Sequence, residues 1–419
     1  MSKETFSNHE SAVRSYCRSF PDVFDRAKGS ELFSESGKRY IDFLSGAGAL
    51  NYGHNNDFIK KKLIEYIEAD SIMHALDFHT SAKAEFLEEL HASILAPKGF
   101  DYRVQFCGPT GTNAVEAALK LARKVKNRTG IFAFTGAYHG MTLASLAATG
   151  SKYHRAGSGV PLNNVTRMPF PHGFMNSFDT IAYIDELLAD DYSGIEKPAA
   201  ILLETIQAEG GVIVASSEWL QRLRSLCDQH DILMICDDIQ VGCGRTGPFF
   251  SFEEAGIVPD MVLLSKSIGG YGQPAAMILL KPELDIWKPG EHNGTFRGNQ
   301  LSFVAGSAAL QYRAKHNLRA KVQEDEEYLF GFLNEEILSM KKGIEIRGKG
   351  LMWGIDFAKV EKADAAGEVV SRCFEKGLII ENTGRNGAVV KILPPLTIER
   401  TIFAEGLQIL HKSIVEVVS

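Results

Sequence analysis

Between residues 103 and 266 the chain repeats one unit, a short apolar run followed by a helical pattern. The runs are "RVQFCG" (Arg103–Gly108), "IFAF" (Ile131–Phe134), "AAILLE" (Ala199–Glu204), "ILMICDD" (Ile232–Asp238) and "MVLLSK" (Met261–Lys266). They lack the apolar–polar alternation of a strand with one face in water, so both faces are expected to be buried. The intervening "AVEAALKLARKVK" spaces Val115, Leu119, Ala122 and Val125 as one helix face. "SSEWLQRLRSLCDQH" does the same with Leu220, Leu223 and Cys227, behind serines suited to an N-cap. Buried strands joined by amphipathic helices imply an α/β fold, with a mainly parallel sheet covered on both faces.

The flanks read differently. "LSFVAGSAALQYRAKH" predicts a long helix, and Ala320–Lys341 a second, charged one. Short strands follow around "GLMWGIDF" and "GLIIENTG", an α+β texture. The early "GSELFSESGKRYIDFLSGAG" reads as strands and turns too short to stand alone, expected to pack with the C-terminal part. The division expected is 1–50 as an N-terminal segment packing with the C-terminal domain, 51–304 as the large domain and 305–419 as the small one.

With 419 residues, 45% of them hydrophobic, the chain can bury a large core. A net charge of -7 without basic blocks gives no electrostatic support for nucleic-acid or membrane-surface partners. The polar N-terminus has no apolar segment of signal-peptide type, and no window is apolar enough to span a bilayer. Six scattered cysteines without C-x-x-C spacing fit reduced thiols in a cytoplasmic enzyme and no metal site.

In an open α/β sheet, ligands bind beyond the carboxyl ends of the strands. Gly108, Gly111 and Thr112, Tyr138 and His139, Glu204, Asp237 and Asp238, and Lys266 all fall there. Singly, each has an ordinary explanation: a turn and cap, a half-buried ring, a capping carboxylate, a surface lysine. Together they are what pyridoxal 5'-phosphate requires. A helix N-terminus binds the phosphate, Tyr138 stacks on the ring, and Asp237 pairs with the pyridine nitrogen. Lys266, its pKa lowered by desolvation, condenses with the aldehyde.

The run "ICDDIQVGCGRTGPFFSFEEAGIVPDMVLLSKSIGG" resembles the signature of the class III, or ω-, aminotransferases of fold type I. So do "GTNAVEAALKLAR", "GAYHGMT", "LLETIQAEGG", "HNGTFRGNQL" and "VVKILPPLTI", in the family's order. The resemblance implies a large domain with a seven-stranded, mainly parallel sheet and a smaller α+β domain drawn from both termini. It implies that Lys266 holds the cofactor and shuttles the proton, that Asp237 pairs with the ring nitrogen, and that Gln240 bonds the ring's 3'-oxygen. Gly111 and Thr112 correspond to the phosphate turn and Tyr138 to the stacking aromatic. Thr295 corresponds to a residue reaching the phosphate from a neighbouring subunit, which implies a homodimer or a dimer of dimers.

Glu204 and Glu209 match the family's two active-site glutamates, Glu209 being the gate that pairs with a basic residue. Where the family usually has arginine in "VVKILPPLTI", this chain has Lys391, and Met141 stands where several relatives have arginine. A lysine cannot reproduce arginine's two-pronged grip on a carboxylate, so Lys391 acts as a point charge or another arginine substitutes.

"HESAVRSYCRSFPDVFDRAKGS" and "YIDFLSGAGALNYGHNN" resemble the branch acting at the 4-amino group of L-2,4-diaminobutyrate, in ectoine synthesis. That implies transfer from glutamate, leaving 2-oxoglutarate, to L-aspartate 4-semialdehyde. The alternatives are an ω-aminotransferase for 4-aminobutyrate, ornithine or acetylornithine, or an aminomutase.

Overall fold

The computed structural model describes residues 3–172 and 178–419. Seven strands form the central sheet: β1 (Arg103–Phe106), β2 (Ile131–Phe134), β3 (Val165–Met168), β4 (Ala200–Leu203), β5 (Leu233–Asp237), β6 (Met261–Ser265) and β7 (Ala276–Leu280). Their order is β1-β7-β6-β5-β4-β2-β3, and only β7 runs antiparallel to its neighbours.

Successive residues of each strand enter opposite cores, which is why the runs are apolar without alternation. Phe132, Phe134, Ile201, Leu203, Met234, Val262 and Leu264 share one core with Leu220, Leu223 and Cys227 of helix Ser217–Gln229. Ile131, Ala133, Ala200, Leu202, Leu233, Ile235 and Leu263 share the other with Val115, Leu119 and Ala122. Those three belong to α1 (Gly111–Lys126). At about 25 cal/mol per Å² of apolar surface removed from water, this two-sided burial is the main force holding the sheet.

Residues from both ends of the chain build a second core. Strands Phe24–Lys28, Glu31–Ser34 and Arg39–Asp42 continue into Leu378–Ile379. Tyr40, Ile41 and Phe43 pack there with Phe403, Leu407 and Leu410. A further sheet runs in the order Glu345–Lys349, Met352–Asp356, Val389–Ile392, Glu381–Thr383. Fully buried Arg245 ties these parts together, donating to Asn51 Oδ1 at 2.6 Å and to the Leu351 carbonyl at 3.1 Å.

The helix expected over Ala320–Lys341 is shorter and interrupted. It runs Leu318–Phe332, widens over Leu333–Ile337, and tightens over Leu338–Met340. Left-handed Lys341 ends it just before Gly343. No helix among the described residues is long and apolar enough to cross a membrane.

Candidate active site

Lys266 is the first residue beyond β6, and its φ of +52° is left-handed. For a residue with a Cβ this costs about 1–2 kcal/mol. It breaks the strand's course and puts the side chain in the wall of a cavity of about 270 Å³. Gly111, Thr112, Tyr138, Glu204, Glu209, Asp237 and Gln240 line the same cavity. They arrive from the loops beyond β1, β2, β4 and β5, because parallel strands deliver their carboxyl ends to one edge.

Asp237, the last residue of β5, is held on both oxygens. Oδ2 lies 2.7 Å from His139 Nδ1, and Oδ1 accepts from the Ile239 backbone N–H at 3.2 Å. The neighbouring Asp238 turns elsewhere, accepting from the Ser251 backbone N–H at 3.0 Å. Glu204, one residue past β4, accepts from Tyr138 N–H at 2.8 Å and Ala208 N–H at 3.3 Å. Burial, and then the charge of Asp237, push its carboxyl well above the ordinary range.

Gly111 and Thr112 open α1, and no side chain caps that helix start. Its first N–H groups suit an anion. A Cβ on Gly111 would meet Ile239 Cδ1 at 3.0 Å, so glycine lets this turn sit against the β5 loop. Thr112 Oγ1 lies 2.6 Å from both Thr142 Oγ1 and Ser145 Oγ.

Glu209 and Lys391 form an ion pair, Nζ to Oε1 at 2.6 Å. Lys391 is fully buried and also reaches Glu381 Oε1 at 3.0 Å and Gln240 Oε1 at 3.3 Å. Burial alone would lower its pKa, but the two glutamates override it and hold the ammonium charged. Burial likewise raises the Glu209 carboxyl, and Lys391 overrides it, keeping Glu209 ionised. Gln240 joins the network by donating to Glu209 Oε1 at 3.2 Å and to the Ala47 carbonyl at 3.0 Å. Burial brings the Lys266 amine down to about 8, against partial resistance from Glu209.

Thr295 is exposed and does not line this cavity; its carbonyl lies 3.0 Å from His74 Nε2. Met141 is half exposed at the rim. A wider cavity of about 860 Å³ adjoins the first and shares Tyr138 and Glu209 with it. Arg385, exposed, lines it and forms no ion pair among the described residues. Burial and the nearby Arg347 lower its pKa, with no carboxylate opposing them.

The arrangement offers an anion seat at a helix start, a carboxylate on a buried strand end, an aromatic face and an amine of lowered pKa. These residues fit pyridoxal 5'-phosphate: α1 for its phosphate, Asp237 for its ring nitrogen, Tyr138 for its face, Lys266 for its aldehyde. The family described as aminotransferase class III matches residues 15–414.

The chain belongs to the class III aminotransferases.

A diaminobutyrate--2-oxoglutarate transaminase of Streptomyces coelicolor is 51% identical over 417 residues, 98% of this chain and 97% of that protein. The ornithine aminotransferase of Toxoplasma gondii superposes with a TM-score of 0.86 at 26% identity, covering 99% of this chain and 93% of its own. The taurine:2-oxoglutarate aminotransferase of Bifidobacterium kashiwanohense, solved with pyridoxal phosphate and glutamate, gives 0.83 at 26%, covering 94% and 93%. The fold is thus that of the pyridoxal-phosphate-dependent aminotransferases, and pyridoxal 5'-phosphate is the cofactor this class III enzyme uses.

Three residues that the structure places in or beside these cavities have no role assigned from the sequence. His139 stood beside Tyr138 at a strand end, but its partner Asp237 is 98 residues away. Glu381 lies in "GLIIENTG", where the register to Lys391 had no local signature. Arg385 sits in the same loop region, and only the fold brings it to Glu209 and Tyr138.

Proposed function

We propose that this aminotransferase moves the amino group of glutamate to the terminal carbon of L-aspartate 4-semialdehyde, yielding 2-oxoglutarate and L-2,4-diaminobutyrate. The observation carrying this reading is the cavity joining Lys266, Asp237 and the uncapped helix start to the Glu209–Lys391 pair. It occurs in a chain 51% identical over 98% of its length to a diaminobutyrate transaminase.

When bound, pyridoxal 5'-phosphate supplies an aldehyde to carry the amino group and a ring to take up the electron pair of the deprotonated carbon. The chain's residues do the rest. Lys266 is the amine that takes the proton from the substrate's reacting carbon and returns it at the carbon on the far side of the transferred nitrogen, a 1,3-shift. Asp237, oriented by His139, balances positive charge at the ring nitrogen. The α1 N-terminus and Thr112 bind the phosphate, and Tyr138 covers the ring face. Glu204, fixed by two N–H groups, holds the Tyr138 backbone in place.

The two amino donors differ in one way that matters to the pocket. Counted from the reacting nitrogen, the distal carboxylate of glutamate and the carboxylate of diaminobutyrate are equally many bonds away. Glutamate alone carries a second carboxylate on the reacting carbon. Glu209 on Lys391 closes the space for that group when diaminobutyrate is bound; with glutamate, Glu209 moves aside and the carboxylate meets Lys391. Arg385 is suited to the distal carboxylate common to both.

A homodimer or dimer of dimers is part of the proposal, with Thr295 reaching the partner's cofactor phosphate. The exposed Ile72, Met73, Phe78 and Phe296 near that loop support self-association. A cytoplasmic role in ectoine synthesis completes it. The test incubates the purified protein with L-2,4-diaminobutyrate and 2-oxoglutarate and follows glutamate, with ornithine, acetylornithine and 4-aminobutyrate as competing donors. Faster turnover of any of these would reassign the substrate.

A further inference from the structure

Lys391 donates to Glu209 and Gln240, and its ammonium also stands 3.0 Å from Glu381 Oε1, an ion pair on an oxygen that has no other partner. The two carboxylates are not equivalent. Glu381 lies directly across the ladder from Lys391 in antiparallel register. Its side chain is 13% exposed and does not line the catalytic cavity. Glu209 sits on the loop before strand Ile213–Val214, is 32% exposed and lines that cavity. One counter-ion is thus built into a sheet, and the other stands on a loop at the water-accessible face.

A buried ammonium with a single movable counter-ion would be stranded whenever that partner left, and a stranded buried charge is strongly unfavourable. Arginine can share its fork between partners, whereas lysine is a point charge on a flexible stem and needs its position fixed. We propose that Glu381 is a positioning residue, the fixed counter-ion that keeps Lys391 in place while Glu209 gives way to a substrate carboxylate on the reacting carbon. This rests on the transamination reading given above. With Glu381 as the fixed charge beside it, Lys391 has one exchangeable partner: Glu209 when the substrate brings hydrogen at that carbon, and the substrate when it brings carboxylate. Without Glu381, Glu209 becomes the sole counter-ion and the gate stays shut.

The test compares the wild type with Glu381→Gln and Glu381→Asp. In a two-step transfer at one site, kcat/KM for each donor reports its own half of the reaction. Glu381→Gln is expected to raise KM for glutamate and 2-oxoglutarate by about tenfold, the scale of one unpaired buried polar partner. The kcat/KM for diaminobutyrate is expected to stay within about twofold, since Glu209 remains on Lys391 there. Glu381→Asp keeps the charge and restores part of the loss. Calorimetric binding of 2-oxoglutarate to the aldehyde form of the holoenzyme reads the first of these effects without turnover. Should Glu381→Gln not fold, Glu381→Asp carries the test through a smaller shift of the same sign. Equal effects on both donors, or none on either, would overturn the proposal. Failure of the wild type to use diaminobutyrate would instead strike the functional reading beneath it.

Discussion

His139 Nδ1 lies 2.7 Å from Asp237 Oδ2, with both side chains buried. The contact joins the loop after β2 to the end of β5, and it fixes which way the carboxylate faces. A charge-assisted bond of this kind is worth roughly 1.5–3 kcal/mol. His139→Phe fills the space without the bond, leaving Asp237 held on Oδ1 alone by the Ile239 N–H. The expected outcome is a kcat lower by about tenfold or more, with KM for both donors little changed. Asp237→Asn is expected to lose more, about a hundredfold or beyond, and to alter the cofactor's visible absorbance. Steady-state kinetics and absorbance spectra on both variants check this; an unimpaired His139→Phe would show that the bond has no orienting role.

Gly140 separates the Tyr138–His139 pair from Met141 and sits against the phosphate end of the site. Its φ is +124°, and a Cβ there would lie 2.6 Å from Thr112 Oγ1 and 2.8 Å from Thr112 Cβ. Gly140→Ala must displace Thr112 from the first turn of α1. The expected result is weaker cofactor retention, with the dissociation constant raised by about tenfold or more, corresponding to roughly 1.4 kcal/mol. Titrating apo-protein with pyridoxal 5'-phosphate measures it, and circular dichroism separates this local effect from a folding defect.

The sequence carried the sheet because burying both strand faces leaves a plain signature. It showed the five runs whose ends hold polar residues, but β3 and β7 were not singled out. "VTRM" is a partly buried edge strand with no apolar run. "AMILL" is apolar, but follows so closely after the Lys266 turn that no helix separates it from β6. Lys266 and Asp237 were legible because a strand end announces itself locally. The pairing of Glu209 with Lys391 followed from the family resemblance, but the rest of the network around Lys391 did not: Gln240 and Glu381 meet it only through a loop and a cross-strand register set by the fold. Nor did the sequence show that Lys391 lies behind Glu209, outside the lining of the catalytic cavity.

Arg385 lines the outer cavity beside Tyr138 and Glu209 without an ionic partner among the described residues. If it reads the distal carboxylate shared by both amino donors, Arg385→Ala raises KM for glutamate and diaminobutyrate together. The expected size is about tenfold, the loss of one charge-assisted bond. The pattern contrasts with Glu381 variants, which are expected to separate the two donors. A variant with unchanged KM values would remove Arg385 from the site and return the distal carboxylate to another cation.

Lys266 provides a test that needs no substrate. Burial lowers its amine to about 8 from an ordinary 10.5, although Glu209 partly counters the shift. Only the neutral amine can attack an aldehyde. Reconstitution of apo-protein with pyridoxal 5'-phosphate should therefore quicken about tenfold per pH unit below about 8 and level off above it; an unperturbed lysine would still be accelerating at pH 10. The same shift acts on stability. Between pH 8 and 10.5 the unfolded chain holds a proton on this lysine that the folded chain has released, so stability rises with pH across that window. Below pH 8 both states hold the proton and the contribution is constant, with the folded state bearing the cost of a buried charge. Lys266→Met removes the titration while keeping the side-chain volume. Apo-protein carrying it is expected to be more stable than wild type at pH 7, with the gap closing as pH approaches 10.5. Denaturant midpoints at a series of pH values follow the gap, and a constant difference between the two proteins would place the Lys266 pKa at its ordinary value.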